Sequence, residues 1–298
     1  IVKEIKKQEK EGEPIYYKSN YELKQEGESL YHSLEKCILS IPLVATRMFF
    51  VKDLEMATFP HQLFVDNRSD RFIGESMPTA NVISTELFIK TNFDEPLRGD
   101  YSKAFWTPVD SGEFTFQVIL GQLDIFLQKY KFEVHCETTP VVPLHADLNI
   151  VCAHGGSNIS ETEWFYANDQ PLIGTSSIVG QGKLLILLVC HSGAIIQTKY
   201  DNAMHTIVKR YIQMGYSSVV APMWSLSTEI IPTWLSTFLE CMEAGDYVVD
   251  AVFNANMQIK GEFIAPSAWA CLHLFGNPYL QINNKARIEF IDKLQQVD

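Results

Sequence analysis

Apolar and polar positions in the first half of the chain follow a recognisable pattern in only a few places. Apolar residues recur at helical spacing over 21–41 and 114–130, which predicts a helix in each segment. A strand-like apolar run follows each of them, at 43–51 and 131–136. Residues 52–108 are rich in Pro, Asn and Asp, so only short strands are predicted there. The helix over 114–130 is predicted to carry one broad apolar face, made of Phe114, Val118, Leu123, Ile125 and Phe126.

The second half of the chain alternates regularly between strands and helices after a linker marked by Pro140 and Pro143. Its apolar runs are typical of strands that are covered on both faces. Because such strands, when they alternate with helices, usually form a parallel sheet, we predict an α/β fold with a mostly parallel central sheet and helices on both faces. The strands are predicted over 148–153, 183–190, 217–224 and 271–276, and the helices over 198–214, 228–243 and 247–257.

Two of these strands end in side chains that can do chemistry. The first is followed by His154 and Gly155, and the second ends at Cys190. The carboxyl ends of neighbouring parallel strands converge on one edge of a sheet, so we expect the imidazole and the thiol to meet there. Either residue alone would more simply be a core side chain, and only their joint occurrence favours a catalytic pair.

A thiol beside an imidazole is typical of nucleophilic catalysis. A free thiol has a pKa of about 8.5 and needs a base to become a thiolate at neutral pH. Cys190 is therefore the candidate nucleophile and His154 the candidate general base. The backbone N–H groups of Gly155 and Cys190 are the candidate oxyanion hole. His191 is a rival base, although adjacent residues on an extended segment point to opposite faces.

Composition narrows the classes of partner and cofactor. The net charge of −12 argues against direct contact with nucleic acid, and no apolar run approaches the roughly 20 residues that cross a bilayer. The six cysteines show no Cys-x-x-Cys spacing, so we expect no structural zinc, no disulfide framework and a reducing, cytoplasmic environment. A metal-dependent hydrolase built on His154, His191 and Cys190 is the weaker alternative because its ligands are too few. No cofactor and no metal are predicted.

Several short motifs between Leu148 and Leu280 occur in the order found in one peptidase family. They are His154-Gly155, Cys190-His191-Ser192-Gly193, the strand VVAPMW, the helical stretch FLECMEAGDYVVDAVFNAN, Trp269-Ala270 and Gly276-Asn277-Pro278. The segment resembles a CHAT domain, the caspase-like cysteine peptidase module that is related to separase and is often joined to tetratricopeptide repeats. The chain departs from the family in one respect: members commonly have an Asp a few residues after the Trp of VVAPMW, whereas this chain has Ser225, Leu226, Ser227 and Thr228 there.

The charged start of the chain predicts an N-terminal tether and helix (1–39). The resemblance implies a caspase-like fold for the rest, with a degenerate caspase-like subdomain (40–139) and the peptidase subdomain (140–298). It also implies that Trp224 and Ser225 help to line the substrate groove, although a tryptophan at such a position is more often a core residue. The chain begins without Met, and we expect a longer polypeptide with an upstream repeat or sensor region.

The function implied by the resemblance is that of a regulated cysteine endopeptidase. Such an enzyme would cleave a partner protein through a thioester acyl-enzyme, in prokaryotic defence or signalling, under the control of the upstream region or a regulatory partner protein. The acidic composition favours substrates with a basic residue at the cleaved position, because such a side chain needs a carboxylate in its pocket. A catalytically silent adaptor that keeps the fold and binds a partner protein is the open alternative.

Overall fold

A computed structural model of the chain describes most residues between 45 and 283. The described residues are 38–39, 45–51, 60–66, 69, 71–82, 85–92, 95–140, 142–155, 164–168, 170–174, 178–190, 192, 196–197, 204–205 and 207–283. None of the helices in these ranges is both long enough and apolar enough to cross a membrane.

The strands of the described residues are mostly short. They are β1 (Ile38–Leu39), β2 (Met48–Val51), β3 (Val65–Asp66), β4 (Arg71–Phe72), β5 (Thr79–Val82), β6 (Leu97–Arg98), β7 (Lys103–Trp106), β8 (Glu133–His135), β9 (Leu148–Gly155), β10 (Trp164–Ala167), β11 (Gln170–Gly174), β12 (Leu184–Val189), β13 (Ile196–Gln197), β14 (Met204–His205), β15 (Ser218–Pro222), β16 (Leu272–Gly276) and β17 (Ile282–Asn283).

The helices include α1 (Ile73–Ser76), α2 (Thr85–Asn92), α3 (Phe114–Lys129), α4 (Ile207–Met214), α5 (Ile231–Glu243), α6 (Val248–Glu262) and α7 (Pro266–Trp269), with short 3-10 turns at His61–Leu63, Val109–Ser111 and Thr228–Ile230. Gly112, with a φ of +79°, ends the 3-10 turn before α3, and Glu113 then caps the start of the helix. Pro232 in the first turn of α5 removes an N–H that has no partner within the helix.

Ten of the described strands form one mostly parallel sheet in the order β11-β10-β9-β12-β15-β16-β5-β2, with β7 beside β9 and β8 beside β7. Strands β9, β12 and β15 are parallel neighbours. Strand β16 runs antiparallel to β15 and parallel to β5. The fold is therefore mixed α/β around a mostly parallel sheet, as the alternation of strands and helices predicts, and strands from both 40–139 and 140–298 contribute to it.

The central strands are buried along their whole length, which explains their continuous apolar sequences. Every residue of β12, β15 and β16 is buried. Strand β9 is buried for its first six residues and becomes half-buried at His154 and Gly155. This edge of the sheet therefore lies close to the surface, and it is the edge at which the strands leading to His154 and Cys190 end.

Helix α3 forms where it is predicted, but its apolar residues divide between two faces. Leu123 and Phe126 are buried, whereas Phe114, Val118 and Ile125 are exposed. The helix packs against α5 through the buried face. The predicted single face is wrong: at about 100° per residue, Phe114 lies nearly opposite Leu123, so these apolar residues cannot share one side of the helix.

Two other predicted helices differ from the structure. In the segment 21–41, the described residues Ile38–Leu39 form a strand that pairs in parallel with β3, and the rest lies outside the described residues. In the segment 198–214, the helix begins only at Ile207, and Met204–His205 pairs with β13 instead. The spacing of apolar residues within a segment does not reveal these strand pairings, because they depend on a partner strand elsewhere in the chain.

Candidate active site

The two candidate catalytic residues lie at the carboxyl ends of the neighbouring strands β9 and β12. The strands run in parallel register from the pair Leu184 and Leu148 to the pair Val189 and Ala153. His154 and Cys190 come next on their strands, and backbones of paired strands lie about 4.8 Å apart. The sheet therefore brings the imidazole and the thiol to the same edge.

Gly155 allows this edge to close tightly. A Cβ atom at Gly155 would lie 2.0 Å from the carbonyl oxygen of Cys190 and 2.9 Å from Cγ1 of Val189. Both distances are shorter than any non-bonded contact that a methyl group tolerates. Only glycine fits here, so the predicted His-Gly pair has a steric reason that is independent of catalysis.

The chain turns sharply at the thiol. The N–H of Ser192 donates to the carbonyl oxygen of Val189 at 3.1 Å, which closes a four-residue turn. Cys190 is half-buried in this turn. Ser192 is 2% exposed, and its Oγ has no hydrogen-bond partner among the described residues. His191, the rival base, lies outside the described residues.

His154 is held by a carboxylate that the sequence did not reveal. Its Nε2 hydrogen-bonds Oε1 of Glu113. The ring of Phe116 packs on the imidazole with centroids 5.0 Å apart, and Tyr166 of β10 is its cross-strand neighbour. The His154 side chain is still 44% exposed. Because Nε2 is engaged by Glu113, Nδ1 is the ring nitrogen available to the thiol.

The Glu113 carboxylate is fixed on its other side by the β10–β11 hairpin. The N–H of Asn168 donates to Oε2 of Glu113 at 2.7 Å, and the Asn168 side-chain amide donates to the carbonyl of Ser111 at 2.7 Å. Asn168 has a φ of +50°, a conformation that Asn tolerates better than most residues. Glu113 is separated from His154 by 41 positions and precedes a helix, so only the fold could show the pairing.

The segment after β15 borders the thiol. The N–H of Leu226 donates to Sγ of Cys190 at 3.4 Å. Ser225 is half-buried. Trp224 is 1% exposed, and its Nε1 donates to the carbonyl oxygen of Ser267 at 2.7 Å. The Trp224 ring therefore lies in the core, and the participation of Trp224 and Ser225 in a substrate groove stays a prediction.

The other described thiols are poorly suited to react. Burial, and to a lesser extent the neighbouring Cys190, raises the pKa of Cys152 to about 12. Burial is also the main cause that raises the pKa values of Cys136 and Cys241. Cys271 is 1% exposed. Thiolate character controls thiol reactivity, so none of these four is a natural nucleophile at neutral pH.

A metal ion finds no grouped ligands in the described parts of the chain, where no cluster of three or more His, Cys, Asp or Glu is arranged to hold one. Of the three ligands that the zinc alternative requires, His154 and Cys190 are described and His191 is not. The arrangement around them is that of a thiol, an imidazole and a carboxylate, which is suited to moving a proton.

Comparison with known proteins places the fold. No protein-family model and no curated protein sequence matches the chain. Among solved structures, Saccharomyces cerevisiae separase in complex with securin superposes with TM-scores of 0.54 and 0.53 at 16% identity, over 78% of this chain and 15% and 16% of the separase chains.

A second neighbour is gingipain R of Porphyromonas gingivalis, an Arg-specific cysteine proteinase. It superposes with a TM-score of 0.51 at 12% identity, over 86% of this chain and 67% of the gingipain chain. The chain spans less than a fifth of the separase chain. At these identities the likeness concerns the fold, and the chain has the caspase-like α/β fold that separase and gingipain R share.

Proposed function

We propose that this protein is a cysteine endopeptidase that cleaves a partner protein, with Cys190 as nucleophile and His154 as general base. The observation that carries the proposal is the placement of these residues at the ends of adjacent parallel strands, with Glu113 bound to the far nitrogen of the imidazole. Fold alone does not imply function, so this local arrangement is the main argument.

In each half of the proposed reaction, His154 accepts one proton and then gives it away. Nδ1 of His154 takes the thiol proton, and the Sγ of Cys190 forms a bond to the substrate carbonyl carbon. The peptide C–N bond then breaks, and His154 gives the proton to the leaving amine. Water, deprotonated by the same imidazole, then attacks the thioester carbonyl, the C–S bond breaks, and His154 returns this proton to the sulfur of Cys190. Glu113 is a positioning residue that holds the ring.

The oxyanion hole is proposed to consist of the backbone N–H groups of Gly155 and Cys190. The close approach of Gly155 to the Cys190 carbonyl supports this assignment, because it brings the two backbone segments together where the strands end. Backbone donors that are fixed before substrate binds need no reorganisation as negative charge develops.

The substrate chain is proposed to lie along the segment after β15. Ser225 is half-buried beside Leu226, whose amide reaches the thiol. Trp224 contributes through its backbone, since its ring is in the core. An extended peptide that pairs with such a segment gains main-chain hydrogen bonds that do not depend on sequence.

Regulation and family membership form the finer part of the proposal. The ordered motifs between Leu148 and Leu280 support a CHAT-type peptidase that is controlled by an upstream region or a partner protein. In the solved structures, separase is bound to securin. For this chain we expect low activity in isolation and an increase when its regulator is present.

The test is labelling with a peptidyl acyloxymethyl ketone under native conditions, followed by mass-spectrometric mapping. The expected adduct is on Cys190. Cys190→Ala should abolish labelling and peptide cleavage, whereas the matched control Cys241→Ala, which removes another partly exposed thiol, should retain both. Peptide cleavage that survives in Cys190→Ala would refute the proposal. An unlabelled Cys190 in a folded protein, with or without the regulator, would favour the silent adaptor.

A further inference from the structure

The backbone N–H of Leu226 points at the sulfur of the candidate nucleophile. Its nitrogen lies 3.4 Å from Sγ of Cys190, a normal length for a hydrogen bond to sulfur. We infer that this amide stabilises the Cys190 thiolate and is a backbone donor of the catalytic centre. The inference rests on the proposed function only in taking Cys190 as the reacting thiol.

The donor is held in place by contacts of the three residues before it and of its own side chain. The N–H of Met223 donates to the carbonyl of Cys271 at 3.1 Å, and the Trp224 indole donates to the carbonyl of Ser267. The thiol of Cys271 donates to the carbonyl of Ser225 at 3.5 Å. The Leu226 side chain packs against the main hydrophobic core. The amide therefore faces the sulfur without having to be reoriented.

A fixed N–H donor affects the thiol and the thiolate unequally. Hydrogen bonds to an ionised acceptor are stronger than those to a neutral one, so the amide favours the charged sulfur. The result is a larger thiolate fraction at neutral pH, in addition to whatever the imidazole provides. An amide N–H carries no titratable proton, so this contribution is constant across the working pH range.

The effect of other titratable groups near this sulfur must be separated from that of the amide. The titratable groups on the elements around it are Cys152 on β9, whose pKa is raised in part by Cys190, His154 on β9 with its partner Glu113, and Cys271, whose thiol donates to the carbonyl of Ser225. The imidazole is the strongest competitor because it can become a cation. An effect of Leu226 that persists in a His154→Ala background would therefore come from the amide itself.

The matched pair Leu226→Pro and Leu226→Ala isolates the N–H group. Both variants remove the isobutyl side chain, and only proline removes the backbone donor. The measurement is the rate of Cys190 alkylation by iodoacetamide as a function of pH, with the modified residue identified by mass spectrometry. We expect the Leu226→Pro midpoint to rise by about one pH unit relative to Leu226→Ala, which corresponds to about a tenfold slower reaction below the midpoint. The same difference is expected in the His154→Ala background.

A second measurement uses the protein without a change at Leu226, so that it remains decisive if the proline variant does not fold. In protein labelled with 15N-leucine, the Leu226 amide resonance is assigned by its absence in Leu226→Ala. We expect its proton shift to follow pH with the midpoint of Cys190 alkylation, and to lose this dependence in Cys190→Ala.

Equal alkylation midpoints in the two variants, or a Leu226 amide shift that does not respond to ionisation of the thiol, would overturn the inference. Neither measurement requires peptide cleavage. If the proposed protease activity is wrong, cleavage is absent while the amide still tracks the thiolate. If the inference is wrong, cleavage can be present while the amide is indifferent to the sulfur.

Discussion

Replacing Glu113 by glutamine should impair catalysis more than replacing it by alanine. One carboxylate oxygen of Glu113 accepts from His154 Nε2, and the other accepts from the N–H of Asn168. A glutamine has only one oxygen. The N–H of Asn168 belongs to the backbone and cannot turn away, so the amide oxygen goes to Asn168 and the NH₂ group faces His154.

That reversal selects the wrong form of the imidazole. Facing an NH₂ donor, Nε2 must act as an acceptor, which puts the ring proton on Nδ1. Nδ1 is the nitrogen that should accept the thiol proton, so His154 would be held in the form that cannot act as a base. In serine proteases, an equivalent change from carboxylate to amide traps the histidine in the wrong tautomer and costs several orders of magnitude.

The expected magnitudes follow from the exposure of the pair. A hydrogen bond to a charged group contributes about 1.5–3 kcal/mol, and solvent around a ring that is 44% exposed reduces it to the lower end. Glu113→Ala should therefore lower kcat/KM about tenfold. Glu113→Gln should lower it roughly 10²–10³-fold, because loss of a general base adds to the loss of positioning.

The assay is kcat/KM for a fluorogenic peptide, with a thermal unfolding scan of each variant. Glu133→Gln is the matched control, because Glu133 pairs with His135 on β8 at 3.3 Å and is 75% exposed. We expect the control variant to have the kcat/KM and the thermal unfolding midpoint of the unmodified protein. If Glu113→Gln is as active as Glu113→Ala or more so, at unchanged stability, the reasoning about the tautomer is wrong.

Three further predictions concern the same edge of the sheet. Gly155→Ala should lower the free energy of unfolding, measured in urea, by at least about 2 kcal/mol, because the new Cβ would meet the Cys190 carbonyl. Gly121→Ala, at a helical position with open space around it, should raise the free energy of unfolding by about 0.5–1 kcal/mol. Equal effects of the two substitutions would contradict the packing argument. His154→Ala should slow active-site labelling and abolish peptide cleavage, whereas His191→Ala should keep substantial turnover, and the opposite order would make His191 the base. Activity should survive EDTA, and a loss that a divalent ion restores would reveal a metal requirement.

The sequence predicted the strands of the catalytic half well because their burial dominates every other signal. Strands β9, β12 and β15 are covered on both faces, so nearly every position is apolar and no local pattern competes. The expectation that His154 and Cys190 lie together depends only on this parallel arrangement. It therefore could be made without knowing any loop.

The features that the sequence did not reveal depend on contacts between distant segments. Glu113 reaches His154 only because α3 packs beside β9, and its position before a helix is as suitable for an ordinary N-terminal acidic residue. The amide of Leu226 is invisible to any analysis of side chains. The resemblance implies a place for Trp224 in the substrate groove. The sequence does not show that its indole is buried and hydrogen-bonded to Ser267, which lies far along the chain.

The contact between Gly155 and the Cys190 carbonyl matters to anyone who would transplant this site. Where two backbones touch, the spacing of nucleophile and base is set by the main chain and not by the rotamers of nearby residues. A cysteine and a histidine introduced at matching strand ends of another scaffold would keep their strands farther apart if the following residue carried a side chain. The minimal portable unit is therefore three residues, and the glycine is the member that a designer would most easily leave out.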